Sequence, residues 1–248
     1  MTVLLSTFHD PEGRFLRVKG IEKVMEKAAD IYDNSLINIT KNTSPGMRKL
    51  AEKYFSCISS ENISQGHHVM RLLKNALKYD GNFHYCDFDR LLHWQKHYPD
   101  ELRQAVSRVS KIKGFVFICR SKRAFKSHPD TQKDTESVMN MIASRYLGKA
   151  VDAGSGTVGF DKRTCNLLSE ISGDISGVRF VGRFIRCIKE NDIRTSCIEV
   201  EGMEWETPDI YQKEIASLGY KEWIRQFQSH AEWRKRVDMM RQIVEAFQ

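Results

Sequence analysis

"NFHYCDFDRLL", Asn82 to Leu92, sets two carboxylates, Asp87 and Asp89, directly behind an apolar and aromatic run. The run reads as a short buried strand, entered through a small turn at Asp80 and Gly81. Two like charges one residue apart repel unless a cation, a hydrogen-bond network or open water compensates them. Three readings therefore compete for the pair: a metal site, a helix N-cap and a solvated loop.

The flanking segments alternate in period. Just upstream, "SQGHHVMRLLKNALKY" (64–79) places Val69, Leu72, Leu73, Ala76 and Leu77 on one helical face. Earlier still, "VLLS" (3–6), "SLINIT" (35–40) and "SCIS" (56–59) read as strands. "IEKVMEKAADIY" (21–32) and "TSPGMRKLAEKYF" (43–55) read as helices, the second with Pro45 in its first turn. This β-α-β-α-β-α-β order predicts an α/β fold with a mostly parallel sheet flanked by helices. Ligands of such sheets gather beyond the carboxyl ends of the strands, and Asp87 and Asp89 fall at such an end.

Downstream, "YPDELRQAVSRV" (98–109) and "TESVMNMIASRYL" (135–147) read as helices, and "GFVFIC" (114–119) as a strand. The stretch from Lys122 to Asp134 reads as a polar loop. "DAGSGTVGFDKRT" (152–164) is glycine-rich, "CNLLSEI" (165–171) helical and "TSCIEVEG" (195–202) a strand. The last forty residues read as helices carrying Trp223 and Trp233. No composition shift forces a boundary, so residues 1–248 are expected to form one domain.

The composition, 41% hydrophobic and 29% charged over 248 residues, suits a globular chain with a sizeable core. No apolar run approaches the roughly 20 residues of a spanning helix, and the N-terminus lacks a secretory pattern. A cytoplasmic location is the expectation, with peripheral membrane association left open. Six cysteines without C-x-x-C spacing read as reduced and structural. The net charge of +7 includes a basic stretch, with eight Lys/Arg against one acid between Glu101 and Lys126. Such a stretch serves a nucleic acid, a nucleotide diphosphate, an anionic membrane surface or only solvent.

From Gln65 to Asp89, "QGHHVMRLLKNALKYDGNFHYCDFD" resembles nucleotide-sugar-dependent glycosyltransferases of the GT-A fold, family 2-like. A glycine opens a helix, a small turn and an apolar strand follow, and D-x-D closes the pattern. The resemblance implies a GT-A-like domain with a nucleotide-binding half (1–120) and an acceptor-side half with C-terminal helices (121–248). It implies transfer of a sugar from a nucleotide diphosphate donor to an unidentified acceptor, with Mg²⁺ or Mn²⁺ bound at Asp87 and Asp89. Both cations favour carboxylate and phosphate oxygens, and either stabilises a departing diphosphate. Nucleotide contacts implied in the same way are Thr7, Phe8, Asp10, Thr40, Gly66, Asp87 and Arg90.

Two features depart from the family pattern. After the second strand the chain reads "NITKNTS", where many relatives carry an aspartate that grips the base. The region expected to hold a Glu-Asp catalytic base reads "SGDISGVRFVGRFIRC", leaving Asp174, or Asp161 in "GFDKR", as candidates. An inactive relative or a retaining mechanism stays open on that account. The glycine-rich loop suits an acceptor-side segment where backbone passes close to a ligand.

Other constellations compete. His93 and His97 have the i, i+4 spacing of zinc ligands, but Trp94 stands where the metalloprotease glutamate would be, so a plain histidine pair is preferred. Glu201, Glu204, Glu206 and Asp209 surround Trp205, which reads as a core residue or a sugar platform. Two further functions remain: a non-enzymatic nucleic-acid-binding protein, supported by the charge, and a nucleotidyltransferase using the same metal chemistry. DNA or RNA is not the expected partner, because no nucleic-acid motif accompanies the charge and D-x-D would go unexplained.

Overall fold

The computed structural model describes residues 1–61 and 63–247. Seven strands form one sheet: β1 (Thr2–Phe8), β2 (Asn34–Thr40), β3 (Cys57–Ser60), β4 (Asn82–Cys86), β5 (Phe115–Arg120), β6 (Thr157–Phe160) and β7 (Thr195–Val200). Around them lie α1 (Ile21–Ala29), α2 (Pro45–Tyr54), α3 (Gln65–Ala76), α4 (Phe88–His97), α5 (Pro99–Val109) and α6 (Lys122–Lys126). The second half adds α7 (Asp130–Leu147), α8 (Lys162–Ser169), α9 (Arg179–Glu190), α10 (Gln212–Leu218), α11 (Tyr220–Trp223) and α12 (His230–Glu245). Short 3₁₀ turns occupy Arg14–Arg17, Thr207–Ile210 and Ile224–Gln228.

The strand order is β3-β2-β1-β4-β6-β5-β7. All neighbours are parallel except β6, which runs antiparallel to both β4 and β5. The order reverses between β1 and β4, so their carboxyl ends open a crevice rather than being bridged. β6 accounts for the other feature of that edge. Because Cys86 pairs with Thr157, the glycine-rich loop before β6 arrives beside the end of β4. Within that loop the Gly156 carbonyl accepts the Asp87 N–H at 3.0 Å.

The apolar strands are buried on both faces, which explains their unbroken hydrophobic reading. Successive side chains enter opposite layers. On β1 Leu4 packs with Met25, Met47 and Trp94 under α1, α2 and α4, whereas Val3 and Leu5 pack with Leu72, Phe160 and Phe184 under α3 and α9. On β5 Val116 and Ile118 join the first layer, and Phe115 and Phe117 the second. Fully burying one such side chain stabilises by about 1.5–3 kcal/mol.

Several local expectations need correction. The predicted loop Lys122–Asp134 contains α6, capped by Ser121, and the start of α7. The basic stretch is largely exposed, with Arg103, Arg108, Lys111, Lys113, Lys122 and Lys126 facing solvent, but two of its arginines are held by acids. Arg120 is fully buried against Asp152 and Glu136, and Arg123 pairs with Glu201 and Glu204 at 2.6 Å. The six cysteines are unbridged. Cys197 is exposed rather than structural, and its thiol donates to the Ala150 carbonyl at 3.3 Å; the neighbouring Cys119 thiol, helped by Lys149, brings it down to about 7 against the effect of burial. No helix among the described residues is long and apolar enough to cross a membrane.

His84 illustrates how polar groups are tolerated inside. Its Nδ1 meets the Tyr32 hydroxyl and its Nε2 the Thr157 hydroxyl, both at 2.8 Å. Burial holds the ring neutral and depresses its pKa to about 3. Since the unfolded ring titrates near 6.5, this depression stabilises the fold above that pH and is lost as pH falls from about 6.5 towards 3. Replacing His84 with Gln should flatten the stability–pH curve in that window by up to about 1.4 kcal/mol per pH unit. Urea unfolding between pH 4 and 7 measures it, and an unchanged slope would refute the assignment.

Candidate active site

α4 begins at Phe88, which puts Asp87 at the N-cap position and Asp89 in the first turn. Neither acts as a cap. Asp87 makes no side-chain capping bond, and Asp89 Oδ1 accepts only the N–H of its neighbour Arg90, at 2.8 Å. The N-cap reading of Asp89 therefore fails on geometry. Asp87 Oδ1 accepts the Tyr85 hydroxyl at 2.6 Å and a longer bond from Gln65 at 3.4 Å.

The charges around the pair do not balance. Arg90 lies 3.8 Å from Glu206, a third carboxylate brought in by the 3₁₀ turn Thr207–Ile210. Burial pushes the Asp89 carboxyl up to about 7, and the charges of Glu206 and Asp87 push it the same way against Arg90. Asp87 is raised too, chiefly by burial, although Arg90 and the Tyr85 hydroxyl oppose the rise. Arg120 cannot help, because Asp152 and Glu136 hold it. His128 is held neutral, depressed to about 3 by burial and by Arg120 and Arg90. Among the described residues no ion pair reaches Asp87 or Asp89. The interaction of two unit charges 4 Å apart is about 4 kcal/mol at an effective dielectric of 20, so the imbalance is costly. Half-buried carboxylate oxygens with an uncompensated charge suit a hard divalent cation.

Two cavities meet at this point, and Gln65 and Asp87 line both. The larger, of about 350 Å³, lies over the ends of β1 and β2 and is lined by Thr7, Phe8, His9, Thr40, His68 and Asp89. His68 is anchored by its Nδ1 to Ser60 at 2.8 Å, and its buried Nε2 has no hydrogen-bond partner. The Thr40 hydroxyl contacts His9 Nδ1 at 2.7 Å and Thr43 at 3.1 Å. The smaller cavity, of about 160 Å³, lies on the other side of Asp87, between the sheet and α7, α9 and α12. Arg90, Glu136, Gly154, Gly156 and Thr157 border it. Gly156, with φ +69°, sits so close that a Cβ there would come within 2.7 Å of both Asp87 Oδ2 and Arg90 Nε.

Thr7, Phe8, Thr40 and Asp89 are thus brought to the larger cavity, Arg90 to the smaller and Asp87 to both, and four other expected residues line neither. The Asp10 carboxylate is consumed by the backbone N–H groups of Arg14 and Phe15, at 2.9 and 3.1 Å, and shapes the turn after β1. Gly66 donates its N–H to the Gly177 carbonyl, and a Cβ would meet the Ile175 carbonyl oxygen at 1.7 Å, so the glycine serves packing. Asp161 caps α8 through Thr164 and accepts the Gly114 N–H. Since β6 is antiparallel, that places Asp161 at the opposite end of the sheet. Asp174 is exposed, bonded to Ser176 and 3.3 Å from Arg179, and lines neither cavity. Neither aspartate is positioned as a catalytic base.

Gln65, Tyr85, His68, Glu136 and Glu206 are site residues that pattern reading did not assign. Glu206 was visible only as one of several acids near Trp205, which is itself core, packed at a tilt against Trp223 and edge-to-face against Phe227. His93 and His97 both reach Asp209, at 2.9 and 3.2 Å, and form with it the one potential metal cluster of His, Cys, Asp and Glu found among the described residues. Lys96 also reaches Asp209, at 3.1 Å. An ammonium on that carboxylate opposes a metal there, and the cluster clamps the turn that carries Glu206.

No protein-family model matches the sequence, and no curated protein matches it. Solved structures share its fold. The chain is similar to glucosyl-3-phosphoglycerate synthase from Mycobacterium tuberculosis in complex with UDP, with a TM-score of 0.56 at 12% identity over 80% of this chain and 69% of that one. The same enzyme with Mg²⁺ and UDP gives 0.53 at 10% identity, over 81% and 69%. Its complex with Mn²⁺, UDP-glucose and phosphoglyceric acid gives 0.52 at 11%, over 80% and 69%. The likeness is one of fold: a single mixed α/β domain of the GT-A-like kind.

The raised Asp89 carboxyl makes a sign-specific expectation for metal-free protein. Between the unfolded value near 4 and the folded value of about 7, the native state holds a proton that the unfolded state has lost. Stability contributed through this group therefore falls as pH rises through that window, by at most about 1.4 kcal/mol per unit. Asp89→Asn, measured by chemical denaturation in EDTA, should flatten the fall and be more stable than wild type at pH 8. A less stable variant at pH 8 would contradict the charge crowding described above.

Proposed function

We propose that the chain transfers a sugar from a nucleoside diphosphate sugar to a hydroxyl acceptor, using Mg²⁺ or Mn²⁺. The observation that carries the reading is the uncompensated pair Asp87 and Asp89 at the end of β4, between two cavities. The cation would be held by these two carboxylates and, when bound, would neutralise charge developing on the leaving diphosphate. The cavity over β1 and β2 would take the nucleoside, with Phe8 beside it and His68 Nε2 and the Thr40 hydroxyl as polar contacts. That assignment replaces Asp10 and Gly66.

The acceptor oxygen forms the new bond to the anomeric carbon as the bond to the diphosphate breaks. The diphosphate keeps that electron pair, and the hydroxyl proton ends on the diphosphate or in solvent. The fold neighbours bear on the reading because their complexes contain UDP, UDP-glucose, Mg²⁺ or Mn²⁺. A cytoplasmic location belongs to the same proposal. The nucleic-acid alternative is not favoured, since it leaves the uncompensated carboxylate pair at the end of β4 without a role.

Calorimetry with UDP tests the reading. Binding should require Mn²⁺ or Mg²⁺, vanish in EDTA, and be largely abolished in Asp89→Asn. A saturating ligand at 100 times its Kd should also raise unfolding stability by about 2.7 kcal/mol. Equal affinity with metal and with EDTA would overturn the proposal. Nanomolar RNA binding that persists at physiological salt and falls steeply as salt rises would favour the nucleic-acid alternative, and preference for nucleoside triphosphates the nucleotidyltransferase.

A further inference from the structure

The smaller cavity has a mixed character that the transferase reading leaves unused. Gln65, Asp87, Arg90 and Glu136 contribute polar groups to its wall, Asp87 being one of the carboxylate pair. The remainder is mainly apolar, with Gln132, Thr135, Thr157 and Arg236 as its further polar residues, and is walled by Phe115 and Phe117 of β5, Phe180 and Phe184 of α9, and the methionines Met139, Met239 and Met240 of α7 and α12. A space lined this way is poor for water, which needs two to four polar partners, and good for a hydrocarbon. Its volume of about 160 Å³ matches the roughly 150 Å³ at which an apolar protein cavity accepts benzene. Methionine walls add adaptability, because an unbranched thioether repacks around varied shapes and contacts aromatic rings favourably.

We propose that this cavity binds the apolar part of the acceptor, a ring-sized aryl or branched alkyl group whose hydroxyl faces Asp87 and Arg90. The proposal rests on the transferase reading for the word acceptor, and on the cavity alone for the chemical class. A small, fully polar acceptor would leave the aromatic and methionine walls facing water or void, and would forgo the transfer energy of about 25 cal/mol per Å² of apolar surface. An acceptor carrying one ring gains that energy and is oriented by it. The polar groups then fix which hydroxyl points at the donor.

Methionine-methyl NMR provides a direct test, with 2-phenylethanol as the probe and glycerol as the control. Met139, Met239 and Met240 report from the cavity wall, and Met25 and Met47, buried in the opposite layer, report on general effects. 2-Phenylethanol should shift the three wall methyls saturably, with a Kd on the order of 1 mM for a ligand of this size. Met25 and Met47 should stay in place, and glycerol should move none of the five. Met240→Trp, which fills the space, should abolish the response while leaving UDP binding with Mn²⁺ intact. Val178→Phe fills the same cavity from the start of α9 and should behave alike, should the first variant fold poorly. Absent shifts, or shifts spread equally to Met25 and Met47, would overturn the assignment of the cavity. Failure of wild-type protein to bind UDP with Mn²⁺ would instead overturn the transferase reading, with the methionine shifts unaffected.

Discussion

The architecture of the site depends on the reversal of one short strand. β6 enters between β4 and β5 in the opposite direction to both. Had it run parallel, the loop before it would lie at the far end of the sheet. Running antiparallel, it delivers Gly154 to Thr157 to the carboxyl end of β4, where Gly156 accepts the Asp87 N–H and crowds the Asp87 and Arg90 side chains. The reversal therefore closes one side of Asp87 with backbone. It leaves the opening between β1 and β4 for the other side, and the two cavities follow from it.

Much of the fold was legible because its signals are local. The central strands are continuous apolar runs, and the flanking helices carry clear stripes such as Val69, Leu72, Leu73 and Ala76. The D-x-D pair was legible for the same reason, as two charges at the end of an apolar run. β6 was not. Four residues including Gly159 carry little strand signal, and strand direction is set by partners distant in sequence. α6 and the start of α7 were hidden in a polar, basic stretch whose helical character comes from capping by Ser121 and from tertiary contacts.

The site was legible only where its residues sit next to the motif. Asp10, Gly66, Asp161 and Asp174 have the right residue types in the right regions, and local hydrogen bonds consume each carboxylate or pack the glycine. An aspartate that caps a helix and one that faces a ligand look identical in a sequence. Glu206 and Glu136 show the converse. They lie more than forty residues from Asp87, and only the packing of α7 and of the turn at Thr207–Ile210 brings them near.

Gln65 and Asp87 belong to the walls of both cavities. The bond between them is long, and the Asp87 carboxylate is also tied to Tyr85, itself 3.3 Å from Thr7 in the wall of the larger cavity. Two guests in adjoining rooms would thus share one partition of two side chains. Whatever one guest does to the partition alters the other's affinity, and thermodynamic linkage makes that influence identical in both directions.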